Sequence, residues 1–193
     1  MELLIGCGSN LTKKIYFGEE NKEWKNLTTL DVNRHHHPDV WWDLDNTNLP
    51  FPDEHFDEIH AYEVLEHTGD QGDSVFFFQQ FSDFYRILKP GGLIIGSVPK
   101  PDSVWAYGDP SHRRVIPMEN FIFLNQQEYK NQVGVTPLSD FRNIYKADFE
   151  VVHIEAHEHC NYFALRAVKP SRWENPDAIY TPKRETRLQA GEP

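Results

Sequence analysis

Met1-Glu2-Leu3-Leu4-Ile5-Gly6-Cys7-Gly8-Ser9-Asn10 is the stretch on which the reading of this chain turns. Leu3-Leu4-Ile5 is an apolar run of strand character that ends at once in a Gly-x-Gly turn. That succession is how α/β folds bring main chain close to a nucleotide-like ligand. Glycine lets the chain turn tightly and leaves no Cβ in the ligand's way. The domain is therefore expected to open on its cofactor site, with no leader before it.

Strand and helix signals alternate outward from that turn. Residues 27–32 (LTTLDV) read as a second strand, β-branched and carrying Asp31 near its end. Between the two strands, 11–25 is a poor helix. Gly18 stands mid-run and the apolar Ile15, Tyr16 and Phe17 are consecutive, so a short irregular crossover is expected. Residues 39–44 read as a third strand, 49–53 as a proline-stiffened loop, and 56–62 as a fourth strand with 63–67 as the loop beyond it. A helix is expected over 74–88, capped by Asp73 or Ser74, with Phe77, Phe81, Phe84, Tyr85 and Leu88 on one face. Lys89-Pro90-Gly91-Gly92 stops it. The continuous apolar run 93–98 reads as a strand buried on both faces. Residues 99–117 read as loop, 118–131 as a helix, and 149–155 with 162–168 as a terminal hairpin. Residues 1–168 form the domain in this reading, and 169–193 a loose or surface-draped tail. The pattern is that of a mostly parallel, doubly wound sheet.

The length of 193 residues suits one domain with a sizeable core. With 13 Phe, 8 Tyr and 5 Trp the chain is too aromatic to be disordered. No apolar run approaches the roughly 20 residues of a membrane span, so a cytoplasmic protein is the default. The two cysteines, Cys7 and Cys160, are far apart and give no disulfide framework. A formal net charge of −11 repels phosphate backbones, which disfavours nucleic acid as a general partner.

Four segments, taken in order, resemble the S-adenosylmethionine-dependent methyltransferases of class I, and most closely their compact type 11 branch. Residues 4–8 (LIGCG) resemble the glycine motif. Asp31 falls at the acidic position closing strand two. Asp43, then 49–59 (LPFPDEHFDEI), resemble the strand-three acid and the run after it. Residues 63–67 (EVLEH) and 88–93 (LKPGGL) are similar to the last two segments. The resemblance implies a Rossmann-like seven-stranded sheet in the order 3-2-1-4-5-7-6, strand seven antiparallel, in a three-layer α/β/α arrangement. By the same resemblance S-adenosylmethionine is the cofactor. Gly6 and Gly8 would approach its methionine part, Asp31 the ribose hydroxyls, Asp43 the adenine amino group with Leu44 against the ring, and Glu63 the methionine or the methyl. The family's acid two residues before the first glycine is replaced here by Leu4, with Glu2 two residues further back.

The residues themselves agree with an adenosyl ligand. An ionised Asp31 accepts two hydrogen bonds in a fixed fork, as a diol requires. No third glycine follows Gly8, against a dinucleotide site, and no Gly-Lys-Ser/Thr follows, against a P-loop. A sulfonium methyl is already electrophilic, so the protein mainly aligns the acceptor and excludes water. The candidate acceptor region is 105–114 (WAYGDPSHRR), with His112 able to take a proton and Arg113 to hold an anion; the alternative is a surface loop paired to acids. Glu66-His67 are read first as loop caps and second as an acid/base pair. His35, His36 and His37, and the set His153, Glu155, His157 and His159, are read as solvated, so no metal is expected. The expected function is methyl transfer to a small-molecule acceptor. A non-catalytic cofactor-binding regulatory module and another nucleotide-dependent Rossmann-like enzyme are the alternatives, and oligomeric state is left open.

Overall fold

The computed structural model describes residues 1–174. The apolar runs become strands β1 (Glu2–Ile5), β2 (Leu27–Asp31), β3 (Val40–Trp41), β4 (Phe56–Tyr62), β5 (Leu88–Pro99), β6 (Phe149–Ala156) and β7 (Cys160–Ala167). They form one seven-stranded sheet in the order β3-β2-β1-β4-β5-β7-β6. β1 to β5 run parallel, β7 lies antiparallel to β5, and β6 pairs with β7 as a hairpin. This is the expected order, with strand seven reversed. β1 is the centre of the parallel half, and all four of its residues are buried.

The two faces of the sheet are covered unequally. One carries the main core, where Leu3, Ile5, Leu30, Ile59 and Ile94 meet helix α1 (Ser74–Ile87) and the chain between β5 and β6. The other carries a small cluster of Leu4, Cys7, Ile15, Tyr62, Ile95 and Ala164. Its cover is the 11–25 crossover, which holds only a single 3-10 turn at Glu19–Asn21, as its broken pattern foretold. That cover is also polar. Lys13, with its side chain 1% exposed, places its ammonium 2.7 Å from Glu2 and 3.0 Å from Glu58. Glu58 in turn lies 2.9 Å from buried His60, whose other ring nitrogen lies 2.6 Å from the Tyr62 hydroxyl. Glu2 is thus committed to Lys13 and to the Lys25 amide, 2.6 Å away, while Leu4 is core.

Helix α1 begins where Asp73 accepts the Phe76 amide at 2.9 Å and ends as the chain extends at Leu88. Its buried face is Phe78, Phe81, Phe84 and Ile87, with Phe77 and Tyr85 half-buried at the margin. Of the expected face, Phe81, Phe84 and Leu88 are fully buried and Phe77 and Tyr85 pack at the margin; Phe78 and Ile87 join it, because Phe78 and Phe81 stack against Phe121, Phe141, Tyr145 and Phe149, aromatics that arrive from later in the chain. The helix expected over 118–131 is divided. A 3-10 segment, Met118–Leu124, stops at Asn125, which is extended and caps α3 (Gln126–Gln132) by accepting the Gln127 amide at 2.8 Å. A one-turn helix, α2 (Trp105–Gly108), interrupts the expected loop. The start of the tail is docked: Arg172 is bound to fully buried Asp148 at 2.6 Å, and Ser171 is buried. The rest of the tail lies outside the described residues. No described helix is long and apolar enough to cross a membrane.

Candidate active site

The carboxyl ends of β1, β2, β4 and β5 share one edge of the sheet, where ligands of open α/β sheets are held. Gly6 and Gly8 follow β1, both with positive φ (+58° and +54°), but for different reasons. A Cβ on Gly6 would lie 2.3 Å from Cγ2 of Val64, so this glycine is required by the loop after β4. A Cβ on Gly8 would meet nothing within 4 Å. Of the two, only Gly8 faces open space.

Asp31 closes β2 and is 7% exposed. Its Oδ2 accepts the Gly8 amide at 2.9 Å and its Oδ1 the Asn33 amide at 2.7 Å. The glycine turn and the carboxylate are thereby one unit, and each oxygen keeps a lone pair for a further donor. Beyond β3, Asp43 is exposed and accepts the Asp45 amide at 3.0 Å. Leu44 packs in the main core at 8% exposure. Asp45 is engaged elsewhere: it accepts the Gly69 amide at 2.8 Å and is ion-paired with Arg113. Asp43 is the freer of the two acids. Glu63 follows β4, exposed, at φ +51°, an uncommon conformation for a residue with a side chain. Its amide donates to the Ser97 carbonyl of β5 at 3.0 Å.

The loop after β4 and the loop after β5 meet at Glu66. The Glu66 carbonyl accepts the amides of Arg113 and Arg114 at 2.9 and 3.2 Å. This places three side chains together: Glu66, His67 and His112 each offer a ligand atom within 4.8 Å of the others. The imidazoles of His67 and His112 stand edge to face with centroids 4.6 Å apart. His112 Nε2 is 3.9 Å from Glu66 Oε1 and 4.0 Å from Asp109 Oδ2. Glu66 is 1% exposed, and among the described residues neither of its carboxylate oxygens has a hydrogen-bond partner; nor has buried Nδ1 of His112. Burial, aided by the negative charge of Glu63, pushes the Glu66 carboxyl up to about 8. The Glu66 carboxylate makes no capping hydrogen bond among the described residues, and α1 is capped by Asp73 as expected.

The two arginines of the loop differ. Arg113 is exposed and clamped by Asp45 and Asp70, the latter at 2.9 Å. It ties the loops after β3, β4 and β5 together. Arg114 is buried and donates to three neutral oxygens, those of Leu65, Thr68 and Gln80. Burial lowers its pKa to about 10. A pocket of about 280 Å³ opens beside it, walled by Phe77, Phe78, Ile116, Phe123 and Phe141, and includes no residue of the glycine turn. Asp45 as a clamp and Arg114 as a buried cation had no local sequence signal, since both depend on loop packing. Glu66 was legible as a residue of the edge, but not as an unpartnered one.

The histidine sets have ordinary partners. His36 lies 2.8 Å from the Ser9 hydroxyl, and His153 and His157 lie 3.3 and 3.4 Å from Glu155.

Comparison with known proteins follows this geometry. None of the curated proteins matches the chain. Among solved structures it is similar to a SAM-dependent methyltransferase from Archaeoglobus fulgidus, with 16% identity over 86% of this chain and 85% of that one and a TM-score of 0.50. It is similar to N-methyltransferase NodS from Bradyrhizobium japonicum WM9 in complex with S-adenosyl-l-homocysteine, with 19% identity over 86% and 76% and a TM-score of 0.50. It is also similar to the YcgJ protein of Bacillus subtilis, with 11% identity over 87% and 92% and a TM-score of 0.51. At such identities these likenesses speak for the fold. A family model described as a methyltransferase domain matches residues 3–170. By that match, across nearly all the described residues and on a sheet of class I order, the chain belongs to the methyltransferase domain family.

Proposed function

We propose that this enzyme binds S-adenosylmethionine across the carboxyl edge of β1 and β2 and methylates a small-molecule acceptor presented at the Glu66–His67–His112 cluster. The observation that carries the donor half is the Gly8–Asp31 hydrogen bond at 2.9 Å, beside open space above Gly8. The residues fit the group. Asp31 retains lone pairs for the ribose hydroxyls, exposed Asp43 suits the adenine amine, and Glu63 stands toward the methionine end with Gly6 shaping the turn. When bound, the donor supplies a sulfonium methyl already open to attack by a lone pair.

The chain's own work is then orientation and handling of the acceptor's proton. His112 is the group assigned to the acceptor side, next to buried Glu66. Arg113, held by two aspartates, positions the loop. The acidic surface argues against a polyanionic acceptor, which supports a small molecule. The catalytic domain takes in residues 1–168, followed by the tail from 169, whose first residues pack back on it.

Titration calorimetry with S-adenosylhomocysteine and with NAD tests the donor. Binding of the former and not of the latter is expected; the reverse removes the proposal. For the acceptor side, His112→Ala is expected to lower turnover about 10²–10⁴-fold on the acceptor identified by screening small metabolites. Its S-adenosylhomocysteine affinity should stay near that of the wild type. Full turnover by this variant would take His112 out of the mechanism.

A further inference from the structure

Glu66 poses a problem that the donor site does not solve. A buried carboxylate with both oxygens unpartnered is costly and calls for a catalytic, water or ion explanation. Two imidazoles face it. His67 has its Nδ1 3.1 Å from the Ser111 hydroxyl, which in turn donates to Asp109 at 2.5 Å. That chain orients the ring and leaves Nε2 available, as the outer partners of metal-bound histidines do. His112 offers Nε2 at 3.9 Å from Glu66, with a side chain only 9% exposed. Ligand atoms around one transition-metal ion lie about 3–3.5 Å apart, so a small contraction closes the set. The other comparable group, Glu2, Glu58 and His60, already holds the Lys13 ammonium. Among the described residues no lysine or arginine lies within ion-pair distance of Glu66, the guanidinium of nearby Arg114 being spent on neutral oxygens.

We propose that Glu66, His67 and His112 bind one divalent transition-metal ion, of the zinc or ferrous type, and that the ion holds an oxygen of the acceptor. Two nitrogens and one carboxylate suit these ions better than magnesium or calcium, which prefer all-oxygen shells. Three protein ligands leave a position open for the acceptor. A hydroxyl bound there loses its proton to water more readily. Its oxygen then forms the bond to the methyl carbon as the carbon–sulfur bond breaks, and neutral S-adenosylhomocysteine leaves. This rests on the acceptor reading above and recasts His112 as a ligand.

The test uses untagged, chelator-stripped full chain, titrated with zinc and with cobalt(II), followed by metal analysis and cobalt absorption spectra. Calorimetry with S-adenosylhomocysteine runs in parallel. About one equivalent of metal is expected, with d–d bands of a low-symmetry site. Glu66→Gln and His112→Ala should each weaken metal binding at least tenfold, while the double variant His153→Ala/His157→Ala keeps the equivalent. Intact S-adenosylhomocysteine binding with substoichiometric metal, or with variants that bind metal as the wild type does, overturns the cation and leaves the donor reading standing. Stoichiometric, Glu66-dependent metal without S-adenosylhomocysteine binding supports the ion site and overturns the donor reading instead.

Discussion

Gly6 and Gly8 share a turn and a sign of φ, yet they answer to different neighbours. Gly6→Ala drives a Cβ into Val64 and keeps a left-handed backbone, and is expected to cost about 2–4 kcal/mol, read as a lowered thermal midpoint. Gly8→Ala adds a methyl to open space and carries only the left-handed backbone strain of about 1–2 kcal/mol, so its loss of stability should be the smaller of the two, with S-adenosylhomocysteine affinity in calorimetry reduced by roughly tenfold or more. Equal loss of stability in both variants would contradict this division. Asp31→Ala removes the acceptor of the Gly8 amide and the fork offered to a diol. Charge-assisted hydrogen bonds are worth about 1.5–3 kcal/mol, so affinity should fall about tenfold to a hundredfold. Unchanged affinity would place the nucleoside elsewhere.

At the scale of elements, the crossover between β1 and β2 does a helix's work without a helix. It covers the second face of the sheet with Lys13, whose charge stands between Glu2 and Glu58. Lys13→Met leaves two carboxylates facing each other in a buried place, and is expected to cost about 3–5 kcal/mol in denaturant unfolding. A cost under about 1 kcal/mol would show the network to be solvated. The same element sets an acid limit. The His60 hydrogen bond, with Lys13, holds the Glu58 carboxyl down to about 2 against the opposing effect of burial. Its ordinary value in the unfolded chain is 4.5, so the unfolded state takes up a proton first. The stability this group contributes is complete above pH 4.5 and is lost as pH falls toward 2. Burial also lowers the His60 pKa below 6.5, so its contribution is complete above that value and declines beneath it. The thermal midpoint is therefore expected to fall with acid. The gap between wild type and Glu58→Gln should be constant above pH 4.5 and close toward pH 2. A gap that does not depend on pH would contradict the assignment.

For the whole molecule, a formal charge of −11 sets what approaches it. Fluorescence anisotropy with duplex DNA and with RNA is expected to show no saturable binding at physiological salt, and sub-micromolar, salt-dependent binding would reverse the choice of a small acceptor. Much of this molecule was legible without coordinates. The apolar runs named the strands, and Asp73 marked the start of α1 as a cap must. Asn125 with Glu128 three residues on was a readable start signal inside the 118–131 segment, and it is where that segment divides. The core face of α1 was legible in Phe81, Phe84 and Leu88, while the burial of Phe78 depends on Phe141 and Tyr145, which lie far along the chain. The burial of Leu44 in the main core was not legible, since the turn after β3 and not a strand pattern sets which way it faces. By itself, then, the amino-acid order determined the alternation of strands and turns, the glycine turn after β1, the acid that ends β2, and the weak crossover, because each is written in neighbouring residues. Only the tertiary structure decided which acids are spoken for and which is not. Asp45 is bound by Arg113, Glu2 by Lys13, and Glu66 is buried bare beside two histidines, because pairing across loops follows from sheet register and loop packing, which no local stretch encodes.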